Sequence, residues 1–227
     1  MEEITFKKPL LRQRLYVSTK PYFLKRSRGE GEKDLERLVD TSKSEDCWLF
    51  DSNNSLWYNL AYATEEIPHE KEGINGLRTK ILPLDLTNFE KTSHYHFHPK
   101  TKEEELKQIT NHTNDQRTRE VMANYATFDL AIPSSQDISQ YLTILKENPT
   151  SSVDFRIASP RGIIIINFDK PVKAEPSEDK YSDIRTNENL VDIANKSRNQ
   201  NETISNGITY LNEAMKGIFS VSFQYRK

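Results

Sequence analysis

Three of the chain's five histidines fall within Thr92-Ser93-His94-Tyr95-His96-Phe97-His98-Pro99. In an extended strand successive side chains point to opposite faces, so His94, His96 and His98 share one side and Tyr95 and Phe97 the other. Two imidazoles at i and i+2 can both reach a single Zn²⁺ at about 2.0–2.1 Å. All three histidines together span about 13 Å of extended chain. If His96 and His98 are ligands, His94 is therefore expected to be a rim residue. A catalytic zinc site takes three protein ligands and keeps a fourth position for water. The third ligand could be a carboxylate, and Asp137, in Pro133-Ser134-Ser135-Gln136-Asp137, is placed to serve. A different metal enzyme, using His94, His96 and His98 with another carboxylate, is the competing arrangement.

The elements that must position these residues can be read from periodicity. The histidine segment reads as a strand, and Ser134 opens a helix whose Ile138, Tyr141, Leu142 and Leu145 form one apolar face. Cys47 to Phe50 and Ser55 to Ala63, around Asp51-Ser52-Asn53-Asn54, predict a hairpin. A second hairpin is expected from Val153–Ile157 and Ile163–Phe168 around Pro160 and Gly162. Residues 3–18 and Ile81 to Leu84 are expected to add strands, and Phe128 to Ile132 another. Gly29-Glu30-Gly31 reads as a turn before a short amphipathic helix from Glu32 to Thr41. Helices are predicted at Lys102–Ile109, Asp115–Tyr125, Thr186–Arg198 and Glu202–Lys216, with a final strand over Ile218–Tyr225. Residues 170–184, rich in Lys, Glu, Pro, Ser and Asp, read as a linker. This order gives an α/β (α+β) class, a mixed sheet flanked by helices.

Composition bounds the partners. At 227 residues the chain can hold one domain and an appendage. With 35% apolar and 29% charged residues, much of it must be surface. A net charge of −2 gives no overall drive towards nucleic acid or an anionic membrane. The early run Lys7, Lys8, Arg12, Arg14, Lys20, Lys25, Arg26 and Arg28 reads as a solvated basic face. One cysteine, Cys47, permits no intramolecular disulfide and suits a reducing compartment. Its neighbours Trp48, Leu49 and Phe50 make it a buried apolar position rather than a nucleophile. Met1-Glu2-Glu3-Ile4 lacks a signal-peptide pattern, and no apolar run approaches the ~20 residues of a membrane span. A cytoplasmic location is the expectation.

His-x-His-Pro followed by Ser-x-x-Asp at a helix start resembles the signature of the JAMM (JAB/MPN-type) zinc metalloproteases, whose best-known members are deubiquitinating isopeptidases. A helix leading to Glu45-Asp46-Cys47-Trp48-Leu49, and the strand pair around Gly162, are similar to that family in order along the chain. The resemblance covers roughly residues 30–170 and implies a JAB/MPN-like domain over 1–170. A helical insertion would lie at about 100–127, with residues 171–227 as linker and helical C-terminal extension. It implies that His96, His98 and Asp137 hold Zn²⁺ and that Glu45 takes a proton from the attacking water. Ser134 would donate to the oxyanion. The substrate would be a protein or peptide, with ubiquitin-like proteins among the candidates, and the reaction hydrolysis of an amide or isopeptide bond.

The chain departs from the family in two ways. Thirty-eight residues separate His98 from Asp137, where the family motif has about ten; closing a longer loop costs little extra entropy. His112 lies inside this insertion. Glu65 and Glu66 are alternatives to Glu45 as the base. Read without the family, Ser134 to Asp137 is an N-terminal capping box. The alternative function is a non-catalytic JAB/MPN-like scaffold or protein-interaction domain.

Overall fold

The computed structural model describes residues 23–42, 47–59, 86, 91–100, 104, 115–169, 181 and 183–226. Among the described residues seven strands form one mixed sheet: β1 (Phe23–Lys25), β2 (Cys47–Asp51), β3 (Leu56–Asn59), β4 (Lys91–Phe97), β5 (Ser152–Ser159), β6 (Gly162–Phe168) and β7 (Phe219–Tyr225). Their spatial order is β1-β3-β2-β4-β5-β6-β7, which puts the histidine strand at the centre. The β4–β5 pair is parallel and the others antiparallel. A parallel pair needs a crossover. Here it carries α2 (Gln116–Ala131) and α3 (Ser135–Glu147). Helix α1 (Arg28–Thr41) precedes β2, and α4 (Asn187–Lys196) and α5 (Gln200–Ala214) precede β7.

Both faces of β4 are covered, and each has its own core. Tyr95 and Phe97 pack with Trp48, Phe50 and Trp57 against Leu35 and Val39 of α1. The opposite face, with Leu49, Phe155, Ile157 and Ile164, lies under Phe128, Ile138, Tyr141 and Leu211 of the other helices. The last segment completes the sheet. β7 pairs with β6 from Phe168↔Phe219 to Gly162↔Tyr225, and Asn212 of α5 holds Val221 through both its N–H and its carbonyl. Residues 187–225 thus share a core with the sheet.

Both expected hairpins form, at Cys47–Asp51 with Leu56–Asn59 and at Ser152–Ser159 with Gly162–Phe168. Gly162 has φ of 151°, and a Cβ there would meet the Gln224 carbonyl at 2.1 Å, so the tight connection needs glycine. The predicted helices at 186–198 and 202–216 correspond to α4 and α5.

Two expectations are corrected. Phe128 to Ile132 is not a strand: its residues close α2, whose last turns are buried on several sides because α4 and α5 pack over them. Gly29-Glu30-Gly31 is not a turn either. Ser27 and Glu30 form a reciprocal capping box, and α1 begins at Arg28. Gly31 sits inside the helix because a Cβ would lie 2.1 Å from the Trp57 ring, so a tertiary contact selects the glycine. The strands expected in residues 3–18 and 81–84, and the helix expected at 102–109, lie outside the described residues. No helix among the described residues is long and apolar enough to cross a membrane.

Candidate metal centre

The i, i+2 spacing of β4 and the i, i+4 spacing of α3 converge on one point. His96 is the last residue but one of the strand, and His98 continues its line because its N–H still donates to the Ala158 carbonyl at 2.8 Å. Asp137 and Tyr141 stand one turn apart on the face of α3 turned to that strand. One ligand atom from each of His96, His98 and Asp137 lies within 4.8 Å of the others. The two Nε2 atoms are 3.0 Å apart, and His96 Nε2 is 3.8 Å from Asp137 Oδ1. Tetrahedral bonds of about 2.05 Å place ligand atoms roughly 3.3 Å apart; these two separations bracket that edge, and the group as a whole, spanning up to 4.8 Å, would draw together around an ion. Both rings are buried, while Asp137 is partly exposed. This group could hold a metal ion.

Each ligand is oriented by a second group. His98 Nδ1 lies 2.6 Å from the Leu130 carbonyl, which can only accept. Nδ1 therefore carries a proton, which directs Nε2 towards His96 and Asp137 and makes it the ring atom that could take a metal ion. The carbonyl is one of the four at the end of α2 that have no partner within the helix. His96 Nδ1 lies 3.0 Å from the Tyr141 hydroxyl, which can accept its proton and free the second Nε2 in the same way. Two nitrogen lone pairs 3.0 Å apart, with a carboxylate beside them, require a shared proton or a cation between them.

Asp137 divides its two oxygens. Oδ2 accepts from the Ser134 N–H at 2.6 Å and its hydroxyl at 2.7 Å, and the Asp137 N–H returns a bond to Ser134 Oγ at 3.1 Å. Oδ1 is thereby turned to His96. Burial pushes the Asp137 pKa up, but His96, His98 and the Ser134 hydrogen bonds more than offset it and hold the group below the ordinary value, as a carboxylate. The capping box and the ligand role are compatible: the cap that starts α3 also aims the carboxylate. Ser134 is thus placed beside the site as the N-cap, with its hydroxyl on Asp137.

His94 is not at a rim. It is fully buried, set against the rings of Tyr141 and Phe155 at 5.7 and 5.9 Å, and neither ring nitrogen has a hydrogen-bond partner. Burial above all, aided by His96 and opposed by Asp137, pushes its pKa down to about 3, so the ring is neutral. Among the described residues the three-ligand group does not include it. The rim expectation fails because β4 is the central strand, where even its polar positions are covered. Glu45, Glu65, Glu66 and His112 lie outside the described residues. Tyr141 and the Leu130 carbonyl were missed in the sequence. Tyr141 could have been found one turn beyond Asp137, whereas a backbone carbonyl leaves no mark on residue types. Neither the protein-family models, nor the curated proteins, nor the solved structures contain a match to this chain.

Proposed function

We propose that the chain is a zinc-dependent hydrolase of JAMM type, cleaving a peptide or isopeptide bond in a protein tail. The observation that carries this reading is the pair of Nε2 atoms 3.0 Å apart, fixed from behind by Tyr141 and the Leu130 carbonyl and flanked by Asp137 Oδ1. Two imidazoles and one carboxylate match a zinc site that keeps an open position. Bound there, zinc supplies a water acidified towards a pKa of about 7 and polarises the scissile carbonyl.

The chain's own residues supply the rest. His96, His98 and Asp137 hold the ion, and Tyr141 and Leu130 hold the rings. Glu45 is the favoured base. It precedes by two residues Cys47, the position paired with His96, whereas Glu65 and Glu66 lie beyond β3 in sequence. Ser134 orients Asp137 through its N–H, and the proposal has its hydroxyl, whose single proton goes to Asp137 Oδ2 in this structure, turn to donate to the developing oxyanion instead.

The test is cleavage of isopeptide-linked ubiquitin-like conjugates and of peptides by zinc-loaded protein. The expected result is turnover that stops with chelator, returns with zinc, and falls at least about 100-fold in Glu45→Gln with the metal retained. Full zinc occupancy with no cleavage of any conjugate or peptide contradicts the enzyme reading and leaves an interaction domain.

A further inference from the structure

The two elements that orient His98 and Asp137 meet at one corner. Leu130 offers its carbonyl to His98, and Ser134, four residues on, aims the Asp137 carboxylate. A segment far along the chain holds that corner. The Arg185 guanidinium donates to the Asp129 carboxylate at 2.7 Å and to its carbonyl at 3.2 Å. The Tyr181 hydroxyl donates to the Pro133 carbonyl at 2.9 Å. Thus one contact holds the residue before Leu130 and the other the residue before Ser134.

The contacts are built to be firm. Tyr181 is 1% exposed and packs near Phe219, while both partners of the Arg185–Asp129 pair are largely covered. The segment is itself anchored: Tyr210 of α5 donates to the Ile184 carbonyl at 3.0 Å, and the Arg185 N–H to the Tyr181 carbonyl at 3.0 Å. Near the other end of α2, Arg117 donates to the Asn195 carbonyl of α4 at 2.6 Å, so residues 181–196 hold α2 at two places.

We propose that Arg185 and Tyr181 are positioning residues of the metal centre, holding the 129–134 corner so that Leu130 and Ser134 aim His98 and Asp137. The inference rests on the metal-centre reading above and adds to it the place where the C-terminal region controls the site. Neither residue touches a ligand. Each acts through one backbone carbonyl and the group next to it. Displacement of residues 181–185 would therefore loosen two of the three ligands at once. Losing a group that orients a ligand typically costs 10–100-fold in metal affinity, and removal of these more remote supports is expected to cost about tenfold, the lower end of that range.

The experiment measures Zn²⁺ affinity of the full chain by competition with a chromophoric chelator. It compares wild type, Arg185→Met, Arg185→Lys, Tyr181→Phe and the remote control Arg226→Ala. In parallel, ¹⁵N–¹H spectra follow the His98 Nδ1 proton, whose exchange is slowed by the Leu130 carbonyl. The expected result is about tenfold weaker zinc binding in Arg185→Met and Tyr181→Phe, with faster exchange of that proton in Arg185→Met. Arg185→Lys, which keeps a donor for Asp129, restores most of the affinity, and Arg226→Ala leaves it unchanged. Tyr181→Phe deletes a single oxygen, so it remains informative if Arg185→Met does not fold. Equal affinities and equal exchange in all variants overturn the inference while leaving the metal centre standing. Absence of zinc binding by the wild-type protein overturns the metal-centre reading, and the inference with it.

Discussion

The two faces of β4 bury polar groups to opposite effect. On the α1 face, Glu32 Oε1 accepts from the Tyr95 hydroxyl at 2.6 Å and from Arg156 at 2.9 Å. Arg156 also forks onto the Asp154 carboxylate at 2.9 and 3.3 Å and lies over the Tyr95 ring. Donors meet acceptors at Glu32, and Arg28, 3.7 Å from Asp154, brings a second positive charge to the second carboxylate, although Asp154 Oδ1 is left without a hydrogen-bond partner. On the other face, His96 Nε2 meets His98 Nε2, with the Asp137 carboxylate alongside. There two ring nitrogens and a carboxylate converge on one point, and the groups behind them are well paired. A buried network of donors and acceptors fastens elements together. A convergence of metal-ligating atoms suits a site organised around a cation.

The comparison separates stability from metal binding, and the largest effect should come from the paired face. Arg156→Met strands the Glu32 carboxylate, whose side chain is only 10% exposed. Breaking a buried pair by removing one partner costs about 3 kcal/mol or more. The melting temperature should drop sharply while zinc affinity at low temperature stays at the wild-type value. A matching loss of affinity would show that the two faces are not independent.

Tyr141→Phe is the converse. It removes the partner of His96 Nδ1 but keeps the ring stacked on Phe155 at 4.2 Å. Zinc affinity should fall about 10- to 100-fold, with a stability loss of only about 1 kcal/mol. Titration with a competing chelator and a thermal melt would read both.

His94 lies on the face that carries the candidate metal centre without belonging to it. Both its nitrogens are buried and unpartnered. His94→Leu removes those unmet groups at similar volume, and the gain should be about 1–2 kcal/mol with no loss of zinc. Loss of the metal in this variant would restore the competing ligand set of His94, His96 and His98.

The smallest effect belongs to the surface. Arg226 donates to both Asp40 oxygens at 2.9 and 2.6 Å, and its hydrogen bond is the main reason Asp40 sits below the ordinary carboxylate pKa. A depressed carboxylate pKa adds stability above the unfolded value of 3.8 and loses it as pH falls through the folded one. Arg226→Ala should cost about 0.5 kcal/mol at neutral pH. That difference should vanish in acid, as denaturant melts at pH 7 and below pH 3 would show.

What the sequence disclosed follows from which interactions are local. Period-two alternation placed His96 and His98 on one face, and the Ser134–Asp137 spacing announced the start of α3. Both signals arise within a few residues. Distant packing supplied the rest. Phe128 to Ile132 has strand-like composition, but Phe128 to Ala131 is helical and Ile132 caps the helix, because α4 and α5 cover α2. Gly31 reads as a turn residue until Trp57 is laid against it. Burial of His94 depends on β4 having neighbours on both sides and α3 above. The supports at Leu130, Tyr181 and Arg185 lie 32 to 56 residues from what they hold, and all three act through carbonyls that every residue possesses. The 38-residue separation between His98 and Asp137 is closed in space by α2, which brings its own carbonyl to the site.

The central claim is that the converging histidines and Asp137 bind one metal ion. Its most direct test is the zinc content of protein purified without added metal, measured beside His96→Ala and Asp137→Ala. About one zinc per chain in the wild type, lost in both variants with the fold retained, is the predicted result. No zinc in any of the three, with unchanged melting temperatures, would contradict it.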